Sequence, residues 1–302
     1  MRIQGVNGPI TPSELGFTLM HEHLQIDLYG VFKNLDVLLN DEALAIAELA
    51  PFTATGGRSV VDVTNNGMRR NPEAVRRIAE AAGINVVMGC GWYLQAAYDD
   101  SVERTRTNDL AEQMVRDLTE GIDGTNVRAG IIGEIGTDDK YVKPAEERVF
   151  RAAARAHKRT GAAVTTHAMG YQVGLDQLDL LEEEGADLRR VVVGHCDHLL
   201  DIDYHEAILR RGAYVEYDNI GNPATLPDNR KVGILVELLR RGYERQLLLS
   251  MDACLRSRLH AWGGHGLDYL ATAFLPALRR AGVADEQIHT ITVENPAQVL
   301  TI

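Results

Sequence analysis

Short, nearly continuous apolar runs alternate along this chain with longer segments in which apolar residues recur at helical spacing. The short runs are rich in Val, Ile and Leu, which is typical of parallel strands buried on both faces of a sheet. They predict eight strands, at Phe17–Leu24, Arg58–Thr64, Asn85–Gly91, Arg128–Ile135, Ala163–Ala168, Arg190–Cys196, Ala213–Tyr217 and Gln246–Asp252.

The longer segments predict amphipathic helices. In one of them Val75 and Ile78 fall on the same helical face, and Pro72 occupies the first turn, where proline fits. Most of these segments end at a glycine, as helix C-caps commonly do. The predicted helices are Asn71–Ala82, Asp109–Gly121, Pro144–Gly161, Leu175–Gly185, Tyr204–Gly212 and Arg230–Gly242.

The alternation of strands and helices over 302 residues predicts an α/β fold, a single (β/α)8 TIM barrel. No linker or low-complexity stretch divides the sequence, so residues 1–302 are expected to form one domain. An open, doubly wound parallel sheet is the alternative. It is disfavoured because no GxGxxG phosphate-binding motif follows an early strand.

Composition narrows the range of partners. The formal net charge of −12 argues against nucleic acid or an anionic membrane as a partner. The three cysteines, Cys90, Cys196 and Cys254, form no CxxC pair, which is typical of a reducing compartment. No signal region or apolar run of roughly 18–20 residues is present. We therefore expect a soluble, cytoplasmic protein that acts on a small molecule; a homodimer stays open.

The motif His21-Glu22-His23 lies at the end of the first apolar run. Side chains alternate faces in an extended chain, so His21 and His23 point the same way and Glu22 points to the other face. Two imidazoles on one face can clamp zinc, iron, nickel or cobalt. Taken alone, the motif is also compatible with two solvated or core histidines near a turn.

Acidic and imidazole side chains recur at the ends of further predicted strands. In a TIM barrel these strand ends meet at the mouth that carries the active site. Each residue alone has another explanation: Glu134 could cap a helix, His195 could be a core histidine, and Asp252 could be an N-cap. Their recurrence in successive units favours one shared site. The convergent residues are His21, His23, Glu134, His167, His195 and Asp252.

Six such side chains exceed the three protein ligands typical of one catalytic zinc. They fit two divalent ions about 3.5–4 Å apart with a carboxylate between them. His21, His23 and Asp252 would hold one ion, and His167 and His195 the other. Glu134 would bridge. Zinc is the expected metal, a hydroxide shared by both ions the expected nucleophile, and Asp252 the expected proton acceptor.

With these residues in place, the sequence resembles the phosphotriesterase family of the amidohydrolase superfamily along essentially its whole length. The resemblance implies a (β/α)8 barrel, a binuclear metal centre and hydrolysis of phosphotriesters, lactones or amides. The segments that carry it are Gly16–Leu24, Gly130–Thr137, Thr166-His167, Val193–Asp197, Ser250–Asp252 and Glu294–Ala297.

The sequence departs from many members of that family at the bridging position. Those members bridge the metals with a carbamylated lysine on the fourth strand, whereas this segment offers no lysine and Glu134 takes that place. Glutamate here, together with the loop Gly263–Leu270, is similar to the branch known as the phosphotriesterase homology proteins.

Two further positions bear on the substrate. The family's lactonases carry an arginine at the end of strand seven and its phosphotriesterases a histidine, whereas this chain has Asn219. Tyr93 matches the tyrosine that lies near the metals in the lactonases, although Trp92 and Tyr93 could equally pack under the barrel loops. We expect Tyr93 and Asn219 to bind substrate, and Tyr93 favours a lactone or ester over a phosphotriester.

Other polar residues receive a simpler interpretation. His198, His205, His260, His265 and His289 fall in predicted loops or helices, and most of them are expected to be solvated; His265 could lie on the last loop over the site. Arg256 and Arg258 either bind an acidic group of the substrate or form surface ion pairs. Cys254 follows Asp252 closely, but six ligands leave no need for a thiol. Serine hydrolysis is disfavoured because no GxSxG motif occurs.

The resulting hypothesis is a metal-dependent hydrolase that cleaves a small lactone or carboxylic ester. An amide hydrolase of a small N-acylated compound and a weak phosphotriesterase are the alternatives within the same chemistry. A small-molecule binding protein on a hydrolase scaffold is the alternative outside enzymology, and retention of all six candidate ligands argues against it.

Overall fold

The structure, a computed structural model, describes residues 1–137, 139–169 and 171–302. Eight of its strands form one parallel sheet in which the strands lie side by side in chain order, from Phe17–Glu22 to Leu247–Leu249. The strand order follows the chain without reversal, which confirms the predicted barrel. A doubly wound sheet would reverse its strand order at one point, so that alternative is excluded. The strands are β1 Ile3–Gly5, β2 Gly8–Ile10, β3 Phe17–Glu22, β4 Ile26–Asp27, β5 Leu38–Leu39, β6 Gly57–Asp62, β7 Asn85–Cys90, β8 Ile131–Thr137, β9 Val164–Ala168, β10 Val191–Gly194, β11 Tyr214–Tyr217 and β12 Leu247–Leu249.

Helices cover the outside of this sheet, and the six predicted ones are all present within a few residues of their expected bounds. The helix Glu42–Ala54 was not predicted, because its nearly unbroken apolar sequence hides the helical period. The α-helices are α1 Pro12–Leu15, α2 Tyr29–Phe32, α3 Glu42–Ala54, α4 Pro72–Ala82, α5 Asp100–Arg104, α6 Thr107–Thr119, α7 Pro144–Thr160, α8 Val173–Glu183, α9 Ile202–Arg210, α10 Asp228–Arg240, α11 Leu275–Arg280, α12 Asp285–His289 and α13 Asn295–Leu300.

Two apolar layers hold the barrel together. The larger one lies between the strands and the surrounding helices. The smaller one includes Val61, Val87, Val192 and Leu248, which pack together with residues from the chain termini such as Ile3. Alternation along each strand explains the division, because successive side chains point to opposite faces. The polar residues of interest follow this smaller layer toward the carboxyl ends of the strands.

The strands end earlier than the sequence suggested at two important places. β10 ends at Gly194 and β12 at Leu249, so His195 and Asp252 lie just beyond them. Both residues have left-handed backbones, with φ of 57° and 47°. Such φ values are uncommon for residues other than glycine and cluster at functional sites.

Candidate metal centre

Glu134, on β8, lies at the centre of the convergent side chains and is 2% exposed. Its Oε1 lies 3.4 Å from His23 Nε2. Its Oε2 lies 3.4 Å from His21 Nε2, 3.0 Å from His167 Nδ1 and 3.5 Å from His195 Nε2. One carboxylate therefore contacts imidazoles from four different positions in the chain.

Two of the candidate ligand clusters define two groups, which we call the seam group and the ladder group, and a third cluster of His21, His195 and Asp218 spans both groups. The seam group consists of His21, His23 and Asp252, with His23 Nε2 and Asp252 Oδ1 3.3 Å apart. The ladder group consists of His167 and His195, whose Nδ1 and Nε2 atoms lie 2.6 Å apart, and it shares Glu134. The structure thus brings together all six residues that the sequence nominated.

The donor set fits divalent transition metals. Imidazole nitrogens and carboxylate oxygens are the ligands that zinc accepts in proteins. His21 Nε2 is buried and has no hydrogen-bond partner among the described residues, although it faces Glu134. A buried nitrogen left without a partner costs free energy unless something binds it, and a metal ion would do so.

The electrostatics of the cluster favour positive charge. Burial by itself raises the pKa of the Glu134 carboxyl, but His21 and His167 outweigh this effect and hold the pKa well below its usual range. Burial lowers the pKa of His23, yet its hydrogen bonds to Asp252 and Glu134 raise that pKa to about 9. The carboxylates therefore draw positive charge to this position, which is what a divalent cation supplies.

Three of the four imidazoles are oriented by polar partners on the side away from Glu134. His23 Nδ1 lies 2.8 Å from Thr64 Oγ1, and His195 Nδ1 lies 2.7 Å from Asp218 Oδ1. His21 Nδ1 lies 3.3 Å from both Asp218 and Glu216. Such partners fix the tautomer and the ring orientation of a ligating histidine.

Glu22 connects the first strand of the barrel to the segment that follows the last strand, a role that the sequence did not suggest. Its buried carboxylate accepts hydrogen bonds from the Ser250 hydroxyl at 2.7 Å, from Met251 N at 2.8 Å and from Ala253 N at 2.9 Å. These donors flank Asp252, whose own N–H donates to the His21 carbonyl at 3.1 Å. Glu22 does point away from His21 and His23, as alternation predicted, and it holds the segment that carries Asp252.

Glu216 and Asp218 were also missed. They are two residues apart, so their side chains share one face at the end of β11, and both are fully buried. The available signal was a glutamate inside the otherwise apolar run Ala213–Tyr217, which an ordinary core strand does not contain. Burial raises the pKa of Glu216 to about 7 against the opposing effect of His21.

The two residues expected to bind substrate lie beside the ladder group. The Tyr93 ring packs edge-on against His167, with ring centroids 4.9 Å apart. The Asn219 amide, 3% exposed, donates to Asp218 Oδ1 at 3.0 Å and lies 3.2 Å from His195 Nδ1. Asn219 therefore has contacts behind His195 as well, and substrate binding by both residues stays a prediction.

The loop that carries Asn219 is held by a buried cation. Lys231, on α10, is fully buried and donates hydrogen bonds to the Asn219 carbonyl and to Thr225 Oγ1. Its Nζ lies 3.1 Å from Asp197 Oδ2, and the same oxygen accepts a hydrogen bond from Asn219 N at 3.0 Å. The ion pair thereby ties the segment after β11 to the segment after β10.

Some of the simpler interpretations need correction. His205 is buried rather than solvated, and it bonds to the Cys196 carbonyl at 3.0 Å. His198 is half-buried against His195, with ring centroids 5.8 Å apart, whereas His260, His265 and His289 are exposed as expected.

Among the described residues, Arg256 and Arg258 after the last strand contact backbone carbonyls and form no surface ion pairs, and binding of an acidic substrate group by either of them stays a prediction. Arg258 is buried and donates to the carbonyls of Ile220 and Met251, so it forms no surface ion pair and supports the backbone next to Asp252. Arg256 donates to the Leu38 carbonyl and lies over the Trp262 ring. Local sequence could not separate these roles, because two of the partners, Leu38 and Ile220, lie far away in the sequence.

A groove of about 360 Å³, open to solvent, lies among the loops that follow β3, β6 and β7. Asp27, Asn66, Arg69, Trp92 and Tyr98 contribute to its walls. None of the six candidate metal ligands is among the described residues that line this groove.

Comparisons with known proteins agree with this geometry. The phosphotriesterase family model matches residues 1–300. Phosphotriesterase homology protein from Escherichia coli strain K12 is 42% identical over 283 residues, covering 94% of this chain and 97% of that protein. N-acetyltaurine hydrolase from Xenopus tropicalis is 31% identical over 342 residues, covering 99% of this chain and 98% of that protein.

Solved structures show the same fold. A crystal structure of phosphotriesterase homology protein from Escherichia coli, with phosphate in its active site, matches with a TM-score of 0.93 and 41% identity, covering 95% of this chain and 99% of that one. A lactonase from Listeria monocytogenes matches with a TM-score of 0.94 and 27% identity, covering 100% of this chain and 99% of that one.

None of the described helices combines the length and the apolar character needed to cross a membrane. The family match spans nearly the whole chain, and the residues at the mouth of the barrel form a donor set suited to metals. The chain belongs to the phosphotriesterase family, a family of hydrolases.

Proposed function

We propose that the protein is a binuclear metal-dependent hydrolase that cleaves a small lactone or carboxylic ester. The observation that carries the proposal is the position of Glu134, whose two oxygens lie within 3.0–3.5 Å of four imidazoles from two ligand groups. A carboxylate in that position is suited to bridge two cations. His21, His23 and Asp252 would hold one ion, and His167 and His195 the other, with zinc as the expected metal.

Bound divalent ions would lower the pKa of water toward neutrality and polarise the oxygen of a scissile carbonyl group. The protein's own side chains would do the rest. Asp252 is ionised, because His23 and His21 outweigh its burial and lower its pKa, so its carboxylate is able to accept a proton from the attacking water. Tyr93 and Asn219 would orient the substrate beside His167 and His195.

Amide hydrolysis of a small N-acylated compound is the second candidate. It is favoured by the 31% identity to an N-acetyltaurine hydrolase, since that similarity extends over 99% of this chain. Tyr93 beside His167 and the likeness to a lactonase of known structure favour the ester or lactone. Phosphotriester turnover is expected only as a weak side activity. A cytoplasmic location and a homodimer stay predictions.

One experiment tests these assignments together. Gently purified protein is analysed for metal content and then assayed, after loading with zinc, against lactones, carboxylic esters, N-acyl compounds and phosphotriesters. We expect close to two equivalents of metal and the highest kcat/KM for a lactone or ester. Activity confined to N-acyl compounds would select the second candidate. Metal content near zero under metal-replete conditions, with no turnover of any class, would exclude both.

A further inference from the structure

Glu216 is a carboxylate inside the barrel with one polar side-chain partner among the described residues. It lies on β11 two residues after Tyr214, which packs in the same inner apolar layer as Val192 and Leu248. The Glu216 side chain is fully buried, and its Oε1 has no hydrogen-bond partner among the described residues. Burying a carboxylate with so few partners is costly, so the position calls for a reason.

The partner of Glu216 is His21, whose Nδ1 lies 3.3 Å from Glu216 Oε2. Asp218 also lies 3.3 Å from that nitrogen, but it is already supplied with donors. Asp218 accepts from His195 N at 2.9 Å, from Asn219 Nδ2 at 3.0 Å, and contacts His195 Nδ1 at 2.7 Å. Asp218 therefore belongs mainly to His195, whereas Glu216 depends on His21.

We propose that Glu216 is a positioning residue for metal binding by the seam group, acting through His21. An ionised Glu216 only accepts hydrogen bonds, so His21 carries its proton on Nδ1 when it faces the Glu216 carboxylate. The lone pair then lies on Nε2, the atom that faces Glu134. This inference rests on the proposed function, because it assigns a role toward an ion that His21 would bind.

The effect should be confined to one of the two ions. His23 has its own partner in Thr64, and His195 has its own partner in Asp218. Glu216 contacts neither of them in the hydrogen bonds and ion pairs of the described residues. Removing such an outer partner from a ligating histidine typically weakens metal affinity about 10- to 100-fold. Loss of Glu216 should therefore weaken the binding of the seam-group ion and leave the binding of the ladder-group ion unchanged.

The test is a titration of metal-free protein with cobalt(II), followed by its visible absorption and by competition with a chelator. In Glu216→Leu we expect one of two binding steps to weaken about 10- to 100-fold and its absorption bands to shift, while the other step is unchanged. In Glu216→Gln, whose amide oxygen still accepts a hydrogen bond, the same step should weaken by a smaller factor. Tyr214→Phe, on the same face of the same strand, is the control and should match the wild type.

The outcomes separate cleanly. A folded Glu216→Leu variant with wild-type affinity and spectrum at both steps overturns the proposal, and so does equal weakening of both steps. If Glu216→Leu does not fold, unchanged binding and an unchanged spectrum in Glu216→Gln overturn it instead. Failure of the wild type to bind cobalt at all would contradict the proposed function itself, which is a different result.

Discussion

The two groups of proposed metal ligands are built on different parts of the barrel. The ladder group lies on or just after β9 and β10, and β9 pairs with β10 on one side and with β8, the strand of Glu134, on the other. The seam group joins β3 to the segment after β12, the first and last strands of the sheet order. One group is positioned by continuous backbone pairing, the other across the line where the barrel closes.

Side-chain hydrogen bonds replace most of the backbone pairing where β3 meets the segment after β12, a line that we call the seam. Side chains make most of the connection there, because Ser250 Oγ contacts His21 N at 2.8 Å and Glu22 accepts from Ser250, Met251 and Ala253. A side chain can be removed by one substitution, whereas a ladder of backbone hydrogen bonds cannot. The seam group should therefore be the more easily disrupted of the two.

The largest effect is expected where the two groups meet. Glu134→Ala removes the carboxylate that lies between the two groups and would bridge the ions, so two nearby cations would lose a shared negative ligand. We expect loss of at least one ion and of most activity, measured by elemental analysis and by rate. Near-normal metal content and turnover would mean that Glu134 only forms ion pairs near the barrel rim.

Because Glu134 needs no carbamylation, metal alone should reactivate wild-type apoprotein, without any gain from added bicarbonate.

The next effect separates binding from chemistry within the seam group. Asp252→Asn keeps an oxygen that can ligate but removes the carboxylate that accepts the proton. We expect metal content close to that of the wild type and a fall in kcat of roughly 10²–10⁴-fold, the usual contribution of general-base catalysis. Stoichiometry and steady-state rates on the same preparation check this. Full activity would remove Asp252 from the mechanism.

Glu22→Gln tests the seam directly. One carboxylate oxygen becomes an NH2 group that faces a backbone N–H or the Ser250 hydroxyl, which leaves buried donors unsatisfied. We expect a loss of about 1–3 kcal/mol in the free energy of unfolding, together with weaker binding of the seam-group ion. Chemical denaturation and cobalt titration measure the two effects.

Glu48→Gln is the matched control for the seam. Glu48 is also a buried carboxylate that accepts two backbone N–H groups, those of His260 and Ala261, each at 2.9 Å. This variant should lose stability by a similar amount and keep both ions. If the two variants lose metal equally, Glu22 has no special connection to the ligands.

The sequence was informative about the ligands for a physical reason. His21 and His23 share a face because strands alternate, and the other ligands end strands that a barrel brings to one mouth. The supporting residues depend on tertiary pairing instead. Glu22 and Ser250 are 228 residues apart, and no local pattern shows which strand closes the barrel against which. His205 was wrongly expected to be solvated for a similar reason, since its ring contacts the Cys196 carbonyl and the Tyr217 hydroxyl in the folded barrel.

A smaller effect is expected on the ladder group from Asn219→Ala. The amide donates to Asp218 and lies 3.2 Å from His195 Nδ1, so its loss should loosen the orientation of His195. We expect the affinity for the ladder-group ion to fall several-fold and KM to increase, while the affinity for the seam-group ion is unchanged. Separate cobalt binding steps and a substrate titration distinguish these effects. A change in KM alone would assign Asn219 to the substrate only.

The smallest effect is expected from Tyr93→Phe, which separates substrate contact from support of the ladder group. Phenylalanine keeps the ring that packs against His167, so both ions should be retained. The hydroxyl is lost, and one hydrogen bond contributes about 0.5–1.5 kcal/mol, which corresponds to a rise in KM of roughly 2- to 13-fold. Steady-state kinetics on the best lactone or ester, with cobalt titration as the check on metal binding, measure this. If KM is unchanged across lactones, esters and N-acyl compounds, Tyr93 is a packing residue, and the preference for a lactone or ester loses its main support in the site.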